Sequence, residues 1–255
     1  MSTRKISWAE QENSRGSQTA AARIERELAL AILRDEHRPG TNLPGVRALA
    51  RDMGVAAPTI QRALDRLESA GLISVRQGSG IRVNDPRECG ELSLLPLWFE
   101  ALEGEPTRAS QILGDFLELR RVVATHLVST RSKQIVTAAP RIAALASELG
   151  NRDDLNSVAK ADLAFTRAVV ESADQFAVAT ILRTTERLVR SVPYVAEALY
   201  EDRTFHKKVI RDITRALGSG GSPAEVAAKL ERILAGWDRR TVSRFRDYCI
   251  SAVAA

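Results

Sequence analysis

The sequence predicts a mostly α-helical protein in two parts: an N-terminal winged helix-turn-helix and a C-terminal all-α antiparallel helical bundle. Three observations predict this. The stretch from Thr41 to Val83 reads as two short helices around a glycine turn, followed by two short β-branched runs. From about Glu91 onward the apolar residues recur at helical spacing, and no strand-like alternation of β-branched residues appears. The chain has 255 residues, enough for two cores.

Residues 1–17 are polar and mixed, and read as a flexible arm rather than as structure. Residues 18–86 form the predicted winged domain. A first helix covers 19–36, with Ile24, Leu28, Ala31 and Ile32 on one face. Pro39 and Gly40 stop it, and Leu43 anchors the loop that follows. The second helix runs from Val46 to Met53, and Gly54 supplies a left-handed turn. The third helix begins near Pro58, whose missing N–H is not needed in a first turn. Ile60, Ala63, Leu64 and Leu67 are its apolar stripe. Two short strands, 72–75 and 80–83, flank a ribbon tip at Arg76-Gln77-Gly78-Ser79. Asp85-Pro86-Arg87 reads as a linker. Residues 91–255 are the predicted second domain, with helices at 91–102, 109–131, 133–149, 153–171, 174–200, 203–217, 223–235 and 237–252. Asp153, Asp174 and Ser222 are its expected N-caps, and Pro140 and Pro193 are its expected kinks.

This layout puts the third helix in the role of a DNA-reading helix. With its stripe buried, Thr59, Gln61 and Arg62 point outward. A glutamine amide matches adenine bidentately, and an arginine reaches guanine or phosphate. Thr59 also fits a purely capping role. Arg47 opens the preceding helix close to the backbone or groove. At the ribbon tip Gln77 and the Gly78 backbone approach the minor groove, and Arg76 acts as a phosphate clamp. Arg51 and Arg66 fit a DNA-facing role and a bare surface role equally. The charge agrees with double-stranded DNA as partner. Residues 1–87 hold 14 Lys and Arg against 10 Asp and Glu, whereas the remainder holds 23 against 22. Thirteen of those 14 bases are arginine, the side chain that grips phosphate and guanine with two bonds.

Other functions find little support. There is no Ser/His/Asp set, no HExxH and no Walker-type loop; Gly218-Ser-Gly-Gly-Ser lacks the following lysine and reads as a turn. An enzyme is therefore not expected. Cys89 and Cys249 are far apart and no signal peptide is evident, so a reduced, cytoplasmic setting is expected. No apolar run reaches the ~18–20 residues of a membrane helix.

Pro39-Gly40, Leu43-Pro44, Arg47-Ala-Leu-Ala50, Gly54-Val55, Thr59-Ile60, Ala63-Leu64, Leu67, Gly71-Leu72 and Gly78-Ser-Gly80 resemble the GntR family of bacterial transcription regulators. The remainder is similar to the all-α effector domain (FCD domain) of its FadR subfamily, through Leu119-Arg120-Arg121, Asp162-Leu-Ala-Phe165 and the helix holding His206. The resemblance implies a DNA-binding regulator, most often a repressor, that meets a palindromic operator as a homodimer and answers a small-molecule effector in the bundle. Two departures stand out. The reading helix starts Ala56-Ala57-Pro58, and Gln61 stands where the subfamily usually has arginine. FCD domains also commonly hold a divalent metal with one Asp and three His. Here Asp162 and His206 match, but Thr166 stands at the first histidine position and no histidine follows His206. No metal or other cofactor is therefore expected. Some FadR-like family members without the metal set bind acyl-CoA esters, so the effector the resemblance implies is a small organic acid or acyl-CoA. Arg120, Asp162, Thr166, Arg187 and His206 are the candidate contacts, with Arg121, Arg183 and Arg190 as further anion partners. A regulator or architectural protein without a small ligand is the alternative.

Overall fold

The computed structural model describes residues 19–76 and 80–253. The chain divides into two compact units, 1–103 and 104–255.

In the first unit α1 spans Ala20–Leu33, capped at Thr19, whose side chain accepts from the Ala22 N–H. Ile24, Leu28, Ile32 and Leu33 bury its inner face. Then come α2 (Val46–Asp52) and α3 (Ala57–Ser69), joined through Gly54 at φ +64°. Pro58 lies in the first turn of α3 as expected, and Ile60, Ala63, Leu64 and Leu67 are all buried against α1 and α2. Strands β2 (Ile73–Arg76) and β3 (Gly80–Val83) form the antiparallel ribbon, with Ile73 opposite Val83 and Arg76 opposite Gly80. A two-residue strand β1 (Asn42–Leu43) pairs with the far edge of β3, giving the order β1-β3-β2. Leu43 thus anchors its loop as part of the sheet.

The stretch read as a linker is instead a helical turn, α4 (Pro86–Cys89), capped by Asp85. It lies so close to the end of α3 that a Cβ on Gly71 would sit 1.9 Å from the Cys89 carbonyl oxygen. Gly71 also has φ +76°, so only glycine fits there. A 3₁₀ turn (Leu92–Leu94) and α5 (Leu95–Ala101) follow. Leu94, Leu97, Trp98 and Ala101 pack on the winged core, and Glu100 pairs with Arg26 of α1. Residues 91–103 therefore complete the first unit. Their apolar periodicity was correctly helical, but nothing in it says which core the helix serves.

In the second unit the helices are α6 (Pro106–Thr130), α7 (Ser132–Thr137), α8 (Ala139–Gly150), α9 (Leu155–Ser172), α10 (Phe176–Ser191), α11 (Pro193–Tyr200), α12 (Arg203–Leu217) and α13 (Pro223–Val253). The two longest, α6 and α13, pack on each other; α9 packs on α8, α10 and α11. Among the described residues this unit contains no strand. Pro193 divides the expected helix 174–200 at Val192, and the expected helix 133–149 breaks at Ala138 ahead of Pro140. Three expectations need correction. The helices expected at 223–235 and 237–252 are one 31-residue helix, because Gly236 lacks only a side chain and keeps its hydrogen bonds. Asp154, not Asp153, caps α9, and Asp174 takes φ +50° one residue outside the Gln175 cap. Ser222 does cap α13: its hydroxyl accepts from the Glu225 N–H, and Glu225 accepts from the Ser222 N–H.

Candidate functional site

The first candidate surface is the outward side of α3. Burial of Ile60, Ala63 and Leu64 forces Gln61 and Arg62 into solvent, and Thr59 is half-buried. Ala57, Pro58, Gln61 and Arg62 border a shallow hollow with Val46 of α2. The Gln61 amide donates to Asp65 Oδ1 at 2.9 Å, one helical turn on. Arg47 at the start of α2, Arg76 at the end of β2 and Arg82 on β3 are exposed. Among the described residues Arg47, Arg62, Arg76 and Arg82 make no ion pair, whereas Arg66 holds Glu25 at 3.0 Å and Arg51 lies beside Asp52. On the α2–α3 face and the wing, Arg47, Arg62, Arg76 and Arg82 are thus left without an acidic partner among the described residues. Arg66 instead ties α3 to α1. Gln77 and Gly78 lie outside the described residues, as does the arm.

The second candidate site is a mostly apolar cavity of about 120 Å³ inside the second unit. Val123 and Leu127 of α6, Phe165 of α9, Leu182 of α10, Ile213 of α12 and Leu234 of α13 are among its walls. Arg120 and Asp162 are the charged residues lining it, and Thr166 adds a hydroxyl. Three of the five candidate effector contacts therefore converge. His206 stands behind the wall: it is fully buried, with Nε2 3.1 Å from Asp162 Oδ1. Arg187 is a correction. It is exposed on α10 and does not line the cavity, because the apolar face of α10 buries Leu188 and turns position 187 outward. Arg183 and Arg190 are likewise exposed, and Arg121 is engaged in ion pairs.

Three residues absent from the sequence reading organise this region. The buried Tyr200 hydroxyl donates to Asp162 Oδ2 at 2.9 Å. Burial first, then the Asp162 charge, pushes the phenol well above its usual pKa of 10.0, so it remains a donor. Trp237 touches the His206 ring, with centroids 5.3 Å apart, and carries the Arg120 guanidinium 4.9 Å over its face. Asp238 receives Arg120 Nη2 at 2.7 Å and Arg121 Nη1 at 2.9 Å. Burial raises the Asp238 pKa above 3.8 despite both arginines. Tyr200 lies in an apolar run that gives no polar signal, and Trp237-Asp238 followed a glycine read as a break. Helical spacing on either side of Gly236 was the cue that could have placed Trp237 and Asp238 on one helix, but nothing local pairs them with Arg120.

The metal that the resemblance implies does not fit these residues. Among the described residues no three His, Cys, Asp or Glu side chains come together. The retained pair, Asp162 and His206, is already joined, and the second carboxylate oxygen is taken by Tyr200.

A winged helix-turn-helix with free arginines on its reading face defines a DNA-binding transcription regulator. The comparisons agree. Residues 20–83 match the bacterial regulatory proteins of the gntR family. An uncharacterized HTH-type transcriptional regulator of Mycobacterium tuberculosis, Rv0494, is 30% identical over 230 residues, which cover 88% of this chain and 90% of that protein. The chain belongs to the GntR family of transcription regulators. The Escherichia coli fatty acid metabolism regulator is 27% identical over 138 residues, 54% of this chain and 56% of that protein. The solved structure of Lar from Listeria monocytogenes shares the fold, with a TM-score of 0.51 at 16% identity, covering 88% of this chain and 97% of that one.

Proposed function

We propose that this regulator binds a palindromic operator as a homodimer, represses from it, and releases it when a small molecule enters the cavity of the second unit. The observation that carries this reading is the apolar cavity walled by five helices and edged by Arg120 and Asp162. Helix bundles build ligand sites in this way, from side chains on facing helices. A single winged helix reads few base pairs, and a two-fold pair reads a palindrome. The ligand acts by its different affinity for the DNA-competent and DNA-incompetent states. Similarity to a fatty acid metabolism regulator over 138 residues supports a small organic acid or acyl-CoA-like ester as the starting panel. The reading needs no metal, since Asp162 and His206 satisfy one another. It places the protein in the cytoplasm with the DNA; among the described residues no helix is long and apolar enough to cross a membrane.

Operator selection from random duplexes, followed by gel shift with and without the panel, tests the proposal. A recovered palindrome whose complex dissociates on adding a panel member supports it. Recovery of unrelated sequences at moderate salt overturns it. A palindrome that no ligand releases leaves a regulator without a small effector.

A further inference from the structure

We propose that the cavity takes, without any metal ion, a compact and mostly apolar molecule that presents one acceptor oxygen to Arg120. The inference rests on the ligand-responsive reading and narrows its effector class. Size comes first. A cavity of about 120 Å³ is close to the roughly 150 Å³ void that holds benzene in another protein, and far below what a long acyl chain occupies.

Charge comes second. Arg120 and Arg121 both pair with Asp238, Arg121 also pairs with Glu231, and Asp162 lines the cavity with Arg120, so the cluster holds no surplus of positive charge for a polyanionic head such as the phosphates of a CoA ester. Chelation comes third. Asp162 has one oxygen on Tyr200 and the other on His206, and Thr166 replaces the ligand that the metal-binding pattern requires. A polycarboxylate effector that binds by gripping a protein-held metal therefore has nothing to grip.

What remains is Arg120. Its Nη2 holds Asp238 and its plane stacks on Trp237, but its Nε–H is buried without an acceptor. A buried donor in that state is costly, and an oxygen brought in by the ligand satisfies it. Both a monocarboxylate and a neutral carbonyl compound supply that oxygen, and the apolar walls hold the rest.

Full-length protein stripped with EDTA is melted with benzoate, benzamide, toluene, hexadecanoyl-CoA and, after adding back Zn²⁺, citrate. Benzoate or benzamide raises Tm by about 5–10 °C at a hundredfold excess over its Kd. Toluene, of like size but lacking the oxygen, binds roughly tenfold or more weakly. Benzoate against benzamide tells the charged oxygen from the neutral one. Ala124→Phe, which fills the cavity, abolishes the shift; Arg120→Lys, which keeps the charge but loses Nε, weakens it while Asp238 stays paired. Equal binding of toluene and benzamide overturns the role of Arg120. Stabilisation by citrate that requires Zn²⁺ overturns metal independence. A response to hexadecanoyl-CoA alone, unchanged in Ala124→Phe, overturns the size class while leaving ligand-responsive regulation standing. If no probe moves Tm or operator affinity, with or without Zn²⁺, the inference fails together with the reading beneath it.

Discussion

Gln61 and Arg62 are neighbours on the open side of α3, and each has a distinct task open to it. Gln61 has one amide proton tied to Asp65, which fixes the plane of the amide and leaves its oxygen and second N–H outward, the pair that adenine matches. Arg62 makes no ion pair among the described residues, which leaves its guanidinium open to guanine or phosphate. Either residue changed to alanine weakens specific operator binding by about 1–3 kcal/mol and relaxes the preference at the base it reads. Binding titrations against the selected operator and single-base variants check this; unchanged affinity in Arg62→Ala refutes the register. These positions were legible because burial of Ile60, Ala63 and Leu64 dictates what faces out. Tyr200 and Asp238 were not, since their importance comes from residues over thirty positions away and leaves no local pattern. Glu197 also went unread, although the charge that acts on it lies only one helical turn on. Burial, then the Glu201 charge, raises its carboxyl above the usual 4.5. An acid raised in this way binds its proton more tightly in the folded protein. Its contribution to stability is complete below pH 4.5 and is lost as pH rises through the folded value. Glu197→Gln removes that loss. Its Tm therefore exceeds the unmodified protein's at pH 7, and the gap closes in melts below pH 4.5; a gap independent of pH would assign the gain to packing instead.

At the scale of elements, local chemistry settled the winged unit and misjudged the long helix. Gly54 and Pro58 mark the turn and the start of α3 because each answers a backbone demand. Gly236 resembles a stop only in isolation. It sits inside α13 with a negative φ, and nothing lies within 4 Å of an added Cβ. Packing of α13 along α6 supplies what the glycine withholds. Gly236→Ala therefore stabilises the fold by about 0.5–1 kcal/mol through reduced backbone freedom in the unfolded chain. Thermal melts should show a rise of roughly 1–4 °C. A fall in Tm would mean that another surface approaches that point of the helix in the assembled protein. The boundary of the first unit was hidden for a related reason. The period of 91–102 announces a helix, but its choice of core is decided by Leu94, Leu97 and Trp98 meeting the winged core, a contact that periodicity does not encode.

At the scale of the whole molecule, the number of copies on the operator can be counted electrostatically. Each phosphate contact releases counterions, and the slope of log K against log salt is about −0.9 per contact. Arg76 is exposed at the wing end of β2 and makes no ion pair among the described residues, so a phosphate of the backbone is the contact expected of it. Removing it takes away one contact from each copy bound. If two copies occupy the palindrome, Arg76→Ala flattens the slope by about 1.8, and if one copy binds, by about 0.9. Arg62, expected at a base edge, serves as the contrast: its loss is predicted to alter operator preference more than affinity for an unrelated duplex. Anisotropy titrations over a range of salt, on the operator and on an unrelated duplex, separate these outcomes. A flattening near 1.8 on the operator, with the same proportional loss of affinity on both duplexes, is the result a symmetric dimer gives. A flattening near 0.9 rejects the dimer, and no flattening at all removes Arg76 from the interface.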